Sequence, residues 1–214
     1  CHAYGVSINE YLVAVYVWSV YTECMHGMPS ERPVRVAVPV NLRPYFNSIT
    51  TKNFFVMVSA EFHPTKEIYT FEEVLKSVSE SLRSQISREN LEKLFSYNVS
   101  NEKLLAARIV PLFLKNLAMR YVYTTSALAN TATVTNIGNI SVSEEYRPYV
   151  EMFHAFLAMS KGQHLKGTIC SYGDTLVFSF SYDLTDTSVQ RGFFRKIAAD
   201  GIAVEIETNG VNYE

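Results

Sequence analysis

The sequence predicts a soluble α/β protein, a mixed sheet with helices packed on it. Three observations predict this class. Segments rich in β-branched and aromatic residues, several alternating with a period of two, recur along the chain. Runs with apolar residues at helical spacing stand between them, and some open on a Ser or Thr followed three residues later by Glu or Gln. The two kinds of segment are interleaved, with no internal repeat and no low-complexity tract.

The elements follow in order. Ser7-Ile8-Asn9-Glu10 is a capping box, and the helix over 8–23 is apolar nearly all round, which predicts burial on several sides. Gly27 and Pro29 end it. Val34–Val40 reads as a strand, and Pro39 and Pro44 stiffen the backbone around Asn41-Leu42-Arg43. Asn53–Phe62 is a second strand, closed by His63-Pro64. Thr70-Phe71-Glu72-Glu73 is another capping box, ahead of Phe71, Val74, Leu75, Val78, Leu82 and Ile86. Leu104–Met119 reads as a helix that Pro111 starts or kinks. Ala and Thr over 124–133 lead into a strand that ends at Asn136-Ile137-Gly138. Phe153–Met159 reads as a strand. Leu165–Tyr172 and Thr175–Tyr182 form the clearest hairpin, turned at Gly173-Asp174, with Leu176, Phe178, Phe180 and Tyr182 on one face. Thr187-Ser188-Val189-Gln190 is a third capping box. Its helix turns Phe193, Phe194 and Ile197 inward and stops at Gly201, and Ile202–Ile206 is a last strand.

Composition narrows the function. In 214 residues, hydrophobic side chains make up 48% and charged ones 19%, and aromatic residues are abundant, with 14 Tyr and 13 Phe. Part of this apolar surface is expected to lie against a partner or a missing segment. A net charge of −2 argues against counterion-driven nucleic-acid binding. No apolar stretch reaches the roughly 20 residues of a membrane span. Cys1, Cys24 and Cys170 suggest no disulfide framework, and a reducing, cytoplasmic setting is expected. A first residue of Cys leads to the expectation that the chain is cut from a longer one.

No complete catalytic constellation is visible. His2, His26, His63, His154 and His164 show no HxxH or HExxH spacing, so no metal is expected. Neither a GxSxG elbow nor a Gly-rich phosphate loop is present. Cys170 reads as a small side chain, buried or half-buried. Two segments invite more than a structural account. Val38-Pro39-Val40-Asn41-Leu42-Arg43-Pro44, with Asn53-Phe54-Phe55, sets Asn and Arg at a rigid sheet end, where clefts form. The plain alternative is that Arg43 pairs with a carboxylate and Asn53 caps a turn. Thr133-Val134-Thr135-Asn136-Ile137-Gly138 sends Thr and Asn to opposite faces and then permits close approach at Gly138. A polar strand edge with a Gly turn explains it equally.

Together, Pro39-Val40-Asn41-Leu42-Arg43, Asn53-Phe54-Phe55 and Thr135-Asn136-Ile137-Gly138 resemble the C-terminal half of the CoA-dependent acyltransferase superfamily. That group includes chloramphenicol acetyltransferases, peptide-synthetase condensation domains and wax-ester synthases. The bacterial alcohol-acetyltransferase-like branch is the most similar. The resemblance spans nearly the whole chain and implies one lobe of a two-lobe, chloramphenicol acetyltransferase-like fold. It implies acyl transfer from acyl-CoA, a substrate rather than a tightly bound cofactor, to an alcohol or amine. The base in such proteins is a histidine of an HHxxxDG motif in the N-terminal lobe. That lobe, the expected partner, is absent here; His63-Pro64-Thr65-Lys66-Glu67 has the nearest spacing and reads as a turn. No catalytic residue is therefore assigned. The resemblance implies substrate contact for Thr135, Asn136 and Gly138, and structural roles for Asn41, Arg43 and Asn53. A non-catalytic binding or scaffold module is the second reading, and self-association through the uncovered face a third.

Overall fold

The computed structural model describes residues 1–103 and 110–209. In chain order its elements are α1 (Ile8–Ser19), β1 (Val34–Asn41), β2 (Phe55–Phe62), α2 (Phe71–Gln85), α3 (Arg88–Lys103), α4 (Leu112–Leu128), β3 (Ala132–Asn139), β4 (Leu165–Tyr172), β5 (Thr175–Tyr182) and α5 (Ser188–Ala199). The strands form one mixed sheet in the order β2-β1-β3-β4-β5. β1, β3 and β4 run parallel, and β2 and β5 are antiparallel edges.

Local signals set most of these elements. Ser7 Oγ accepts from Glu10 N while the Glu10 carboxylate accepts from Ser7 N, and Thr70 and Glu73 repeat the arrangement at α2. α1 has no polar side because it has no solvent side. Tyr11 through Val17 are all buried between the sheet, α2 and α5. After Ser19 its last turn widens to a π-helical one over Val20–Cys24. Val34, Val36 and Val38 of β1 and Val56, Val58, Ala60 and Phe62 of β2 complete this side of the core with Phe71, Val74, Val78 and Leu82 of α2. On the hairpin, Phe178 and Phe180 meet Phe193 at ring-centroid distances of 4.2 and 5.2 Å, and Tyr16 closes over Phe180 at 5.8 Å. Leu165↔Tyr182 through Tyr172↔Thr175 pair in unbroken register, turned at Gly173 with φ 56°.

Four expectations fail for physical reasons. The segment Phe153–Met159 is extended but belongs to no ladder, since it lies over the face of β4 and not along an edge. Ile202–Ile206 also joins no ladder. It leaves α5 through Gly201 at φ 83° and pairs with no strand among the described residues, and Ile202 and Ile206 stay half-exposed or more. The third capping box does not form. Thr187 makes no side-chain cap, and Asp186 instead accepts from Ser188 N (2.9 Å) and Ser188 Oγ (3.0 Å). The Thr-Ala stretch read as a lead-in to β3 is helical through Leu128. Thr124 and Thr125 bond back to the carbonyls of Arg120 and Tyr121, which lets β-branched residues stay in the helix.

The helix expected over 104–119 is in part outside the described residues. From Leu112 onward it is α4, and the carbonyl of Pro111 accepts from Leu114 N and Lys115 N at its start. α4 is apolar on every side yet uncovered: Leu112, Phe113, Leu117, Met119 and Tyr121 are between 64 and 73% exposed. Among the described residues, no helix is long and apolar enough to cross a membrane.

Candidate functional site

The parallel strands separate at one end of the sheet. β1 and β3 pair only at Val36↔Ala132 and Ala37↔Thr133, although β1 runs on to Asn41 and β3 to Asn139. Pro39 explains where the ladder stops. Successive residues of a strand turn their backbone groups to opposite neighbours. Arg35 N donates to Thr131 Oγ1, and Arg35 O accepts from Thr131 N, so odd-numbered residues of β1 face β3. Leu42 N donates to Phe54 O, so even-numbered residues face β2. Pro39 is odd-numbered and has no N–H to give β3. The β1–β2 ladder, which does not need that donor, continues through Pro39↔Met57 to Asn41↔Phe55.

The opening beyond Ala37 and Thr133 is bordered by the segments singled out in the sequence. Asn41 stands at the end of β1, exposed. Thr135 lies on the sheet face opposite α1 and α2, beside Thr168 in the parallel register with β4. Asn136 and Gly138 flank a bulge, with the ladder to β4 shifting between them. Gly138 has φ 86°, a backbone that L side chains resist, and a Cβ there would meet nothing within 4 Å. Asn136 Oδ1 accepts from Gly138 N (2.8 Å), so the carboxamide oxygen holds the bulge while Ile137 is thrown outward, 55% exposed. Asn41, Thr135, Asn136 and Gly138 are thus brought to one end of the sheet.

Arg43 and Asn53 are placed differently. Among the described residues, Arg43 pairs with no carboxylate. Its guanidinium donates to Thr50 O twice (3.0 and 3.2 Å), to Lys52 O (2.7 Å) and to Asn41 Oδ1 (3.3 Å). It gathers the loop between β1 and β2 around itself, using the planar fork for which arginine is suited. Asn53 is exposed at the end of that loop, immediately before the Phe54 carbonyl that holds Leu42.

A strap over residues 151–160 crosses the face of β4 below this opening. Cys170, 1% exposed, donates Sγ–H to Phe153 O (3.1 Å), and burial pushes its thiol pKa up. Phe153 and Tyr172 meet edge-to-face at 5.3 Å. Lys166, only 7% exposed, donates to Ala158 O and Ser160 Oγ, each at 2.7 Å. Sequence reasoning passed over Lys166. The available signal was a lysine in the middle of a strand whose other members are apolar or small. Among the described residues, no group of three His, Cys, Asp or Glu side chains converges as metal ligands would. Two surface depressions of ≈ 330 and ≈ 470 Å³ lie along α2, lined by residues such as Leu75, Leu82 and Arg83, and have no part in the opening.

No family model matches the chain, and no curated protein matches it. Solved structures do. The epimerization domain from the third module of tyrocidine synthetase B superposes with a TM-score of 0.55, 12% identical, over 92% of this chain and 42% of its own. This chain has that domain's fold. The wax ester synthase/diacylglycerol acyltransferase from Marinobacter aquaeolei VT8 matches at a TM-score of 0.49, 16% identical, over 94% of this chain and 46% of its own. The condensation domain for chain release from the enacyloxin polyketide synthase matches at 0.48, 11% identical, over 96% and 39%. The chain spans less than half the length of each.

Proposed function

We propose that residues 1–214 are the C-terminal lobe of an acyltransferase of the alcohol-acetyltransferase-like kind, which moves an acyl group from acyl-CoA to an alcohol or amine. The observation that carries this reading is the separation of β1 from β3 at Pro39, bordered by Asn41, Thr135, Asn136 and Gly138. A second lobe, the partner in this proposal, supplies the opposite wall and a general-base histidine. That base takes the acceptor proton as the acceptor oxygen or nitrogen bonds to the thioester carbon. The C–S bond then breaks, and the departing CoA thiolate takes up a proton. Thr135, Asn136 and Gly138 line the path of the substrates, and Asn41, Arg43 and Asn53 hold the loop beside it. The exposed apolar surface of α4 suits a lobe with a covering partner. We place the protein in the cytoplasm, where acyl-CoA is available as a loosely held donor.

The test is thiol release from acetyl-CoA with panels of alcohols and amines. The 214-residue chain alone is expected to be inactive, and a longer chain carrying an HHxxxDG segment active. Turnover by the purified short chain would refute the proposal. A non-catalytic binding module is the second reading, favoured by the lack of a base at the opening among the described residues; one protein with this fold is itself named for epimerization, so fold does not choose the reaction. CoA binding without turnover in the longer chain would select it. Self-association through α4 is a third arrangement, and sedimentation of the short chain reads it directly.

A further inference from the structure

Buried cations are ordinarily paired with an anion. Lys166 is an exception. It is 7% exposed and has no carboxylate within ion-pair distance among the described residues. Its ammonium rests on a carbonyl, Ala158 O, and a hydroxyl, Ser160 Oγ, which leaves its charge unbalanced and, among the described residues, only two of its three N–H groups bonded. Asp183, which follows Tyr182 opposite Leu165 in register, is committed to His164 at 2.9 Å. A second anomaly lies two residues along the same strand face. Thr168 is 2% exposed, and its Oγ1 has no hydrogen-bond partner among the described residues. The flanking residues in register are Thr133 and Thr135 on β3 and Ser179 and Ser181 on β5. The patch therefore holds one ammonium and several hydroxyls and no acid.

We propose that Lys166 and Thr168 form a seat for an oxyanion, a carboxylate or phosphate group of a ligand, over which the strap now lies. The ammonium donates to one oxygen and the Thr168 hydroxyl to another. An anionic oxygen is a stronger acceptor for an ammonium than a carbonyl or an alcohol, so it displaces Ala158 O and Ser160 Oγ. The strap can yield there, because no ladder holds 151–159 to the sheet and side chains such as Lys166 and Cys170 tether it. This seat is independent of the acyltransferase reading and requires no turnover.

Amide hydrogen exchange of residues 151–161 tests it. The full chain is titrated with sodium phosphate and, separately, with sodium acetate, against sodium chloride at equal ionic strength. The expected result is a saturable rise in exchange of the strap with one or both oxyanions and none with chloride. Saturation by phosphate alone identifies a phosphate seat, and saturation by acetate identifies a carboxylate seat. Lys166→Met is expected to abolish the response, and Thr168→Val to weaken the apparent affinity by about tenfold. Thr168→Val keeps the side-chain shape and decides the matter if Lys166→Met does not fold. Absence of a saturable response to both anions, or an undiminished response in Thr168→Val, overturns the proposal.

Discussion

Replacing Gly167 with Ala should destabilise the protein more than a methyl group on a strand ordinarily does. Gly167 sits in β4 on the face that meets the helices, beneath the Phe178 ring. A Cβ at that position would lie 2.7 Å from Phe178 Cζ, 3.1 Å from Cε1 and 3.2 Å from Val134 Cγ2. Carbon atoms in comfortable contact are roughly 3.5–4.0 Å apart, so the ring would have to retreat by about 1 Å. It has nowhere to go: Phe193 packs at a tilt 4.2 Å away and Phe180 at 4.8 Å, and Phe193 is itself fully buried beside Tyr16 and Phe194. Overpacking of this kind costs about 1–3 kcal/mol. The smaller unfolded-state entropy of Ala returns about 0.4–1 kcal/mol. The net expectation is a loss of about 1–2 kcal/mol. Urea unfolding followed by the single tryptophan, Trp18, measures it, with an unchanged m-value as the control. In a Phe178→Leu background, where the offending ring edge is gone, the same substitution should cost at least about 1 kcal/mol less. An equal cost in both backgrounds would refute the steric argument.

Other consequences can be checked alongside it. Thr70→Ala removes a working cap and should cost about 1 kcal/mol, whereas Thr187→Ala, which removes no cap, should be nearly neutral in the same melt. Glu10 is buried, which opposes its ionisation, but hydrogen bonds from Arg83 (2.6 Å) and Ser7 (2.7 and 2.8 Å) outweigh burial and hold its carboxyl below the ordinary value. A depressed folded pKa contributes stability that is present above the unfolded pKa and lost as pH falls through the folded one. Glu10→Gln should therefore cost about 1 kcal/mol at pH 7, and the gap to wild type should close in acid. Arg43→Ala should raise hydrogen exchange over residues 48–53 while leaving exchange in α1 unchanged. Arg43→Lys should not restore protection, since one ammonium cannot reproduce the fork that spans Thr50 O and Lys52 O.

What the sequence revealed and concealed follows from the range of the forces involved. The caps at Ser7 and Thr70 and the hairpin around Gly173 depend on neighbours within a few residues, and the structure realises them. The strap could not be read, because its alternation of inward and outward residues is shared by any extended segment; only the tertiary position separates a strand on an edge from one lying over a face. The same holds for Ile202–Ile206, whose pattern is right but which pairs with no strand among the described residues. Thr187 and Asp186 compete for one helix start, and the carboxylate wins with two bonds. α3 escaped notice because few of its residues over 88–97 turn inward: Leu91 is fully buried, Phe95 only in part, and polar residues dominate the rest. At the opening, Asn41 and Thr135–Gly138 were legible as odd residues in strands. Their convergence was not, since it rests on β1 and β3 being neighbours across nearly a hundred residues of intervening chain.

The missing hydrogen on Pro39 has a consequence of another kind. Most clefts between strands are held apart by packing, and packing relaxes when a neighbour moves or a ligand leaves. Here the interruption is covalent. The imino nitrogen of one ring stops the β1–β3 ladder after Ala37↔Thr133, so any guest that lodged beyond it would have no ladder to displace and would spend none of its binding energy on prising the sheet open. An ordinary amide at the same position would supply the absent donor and let the seam close.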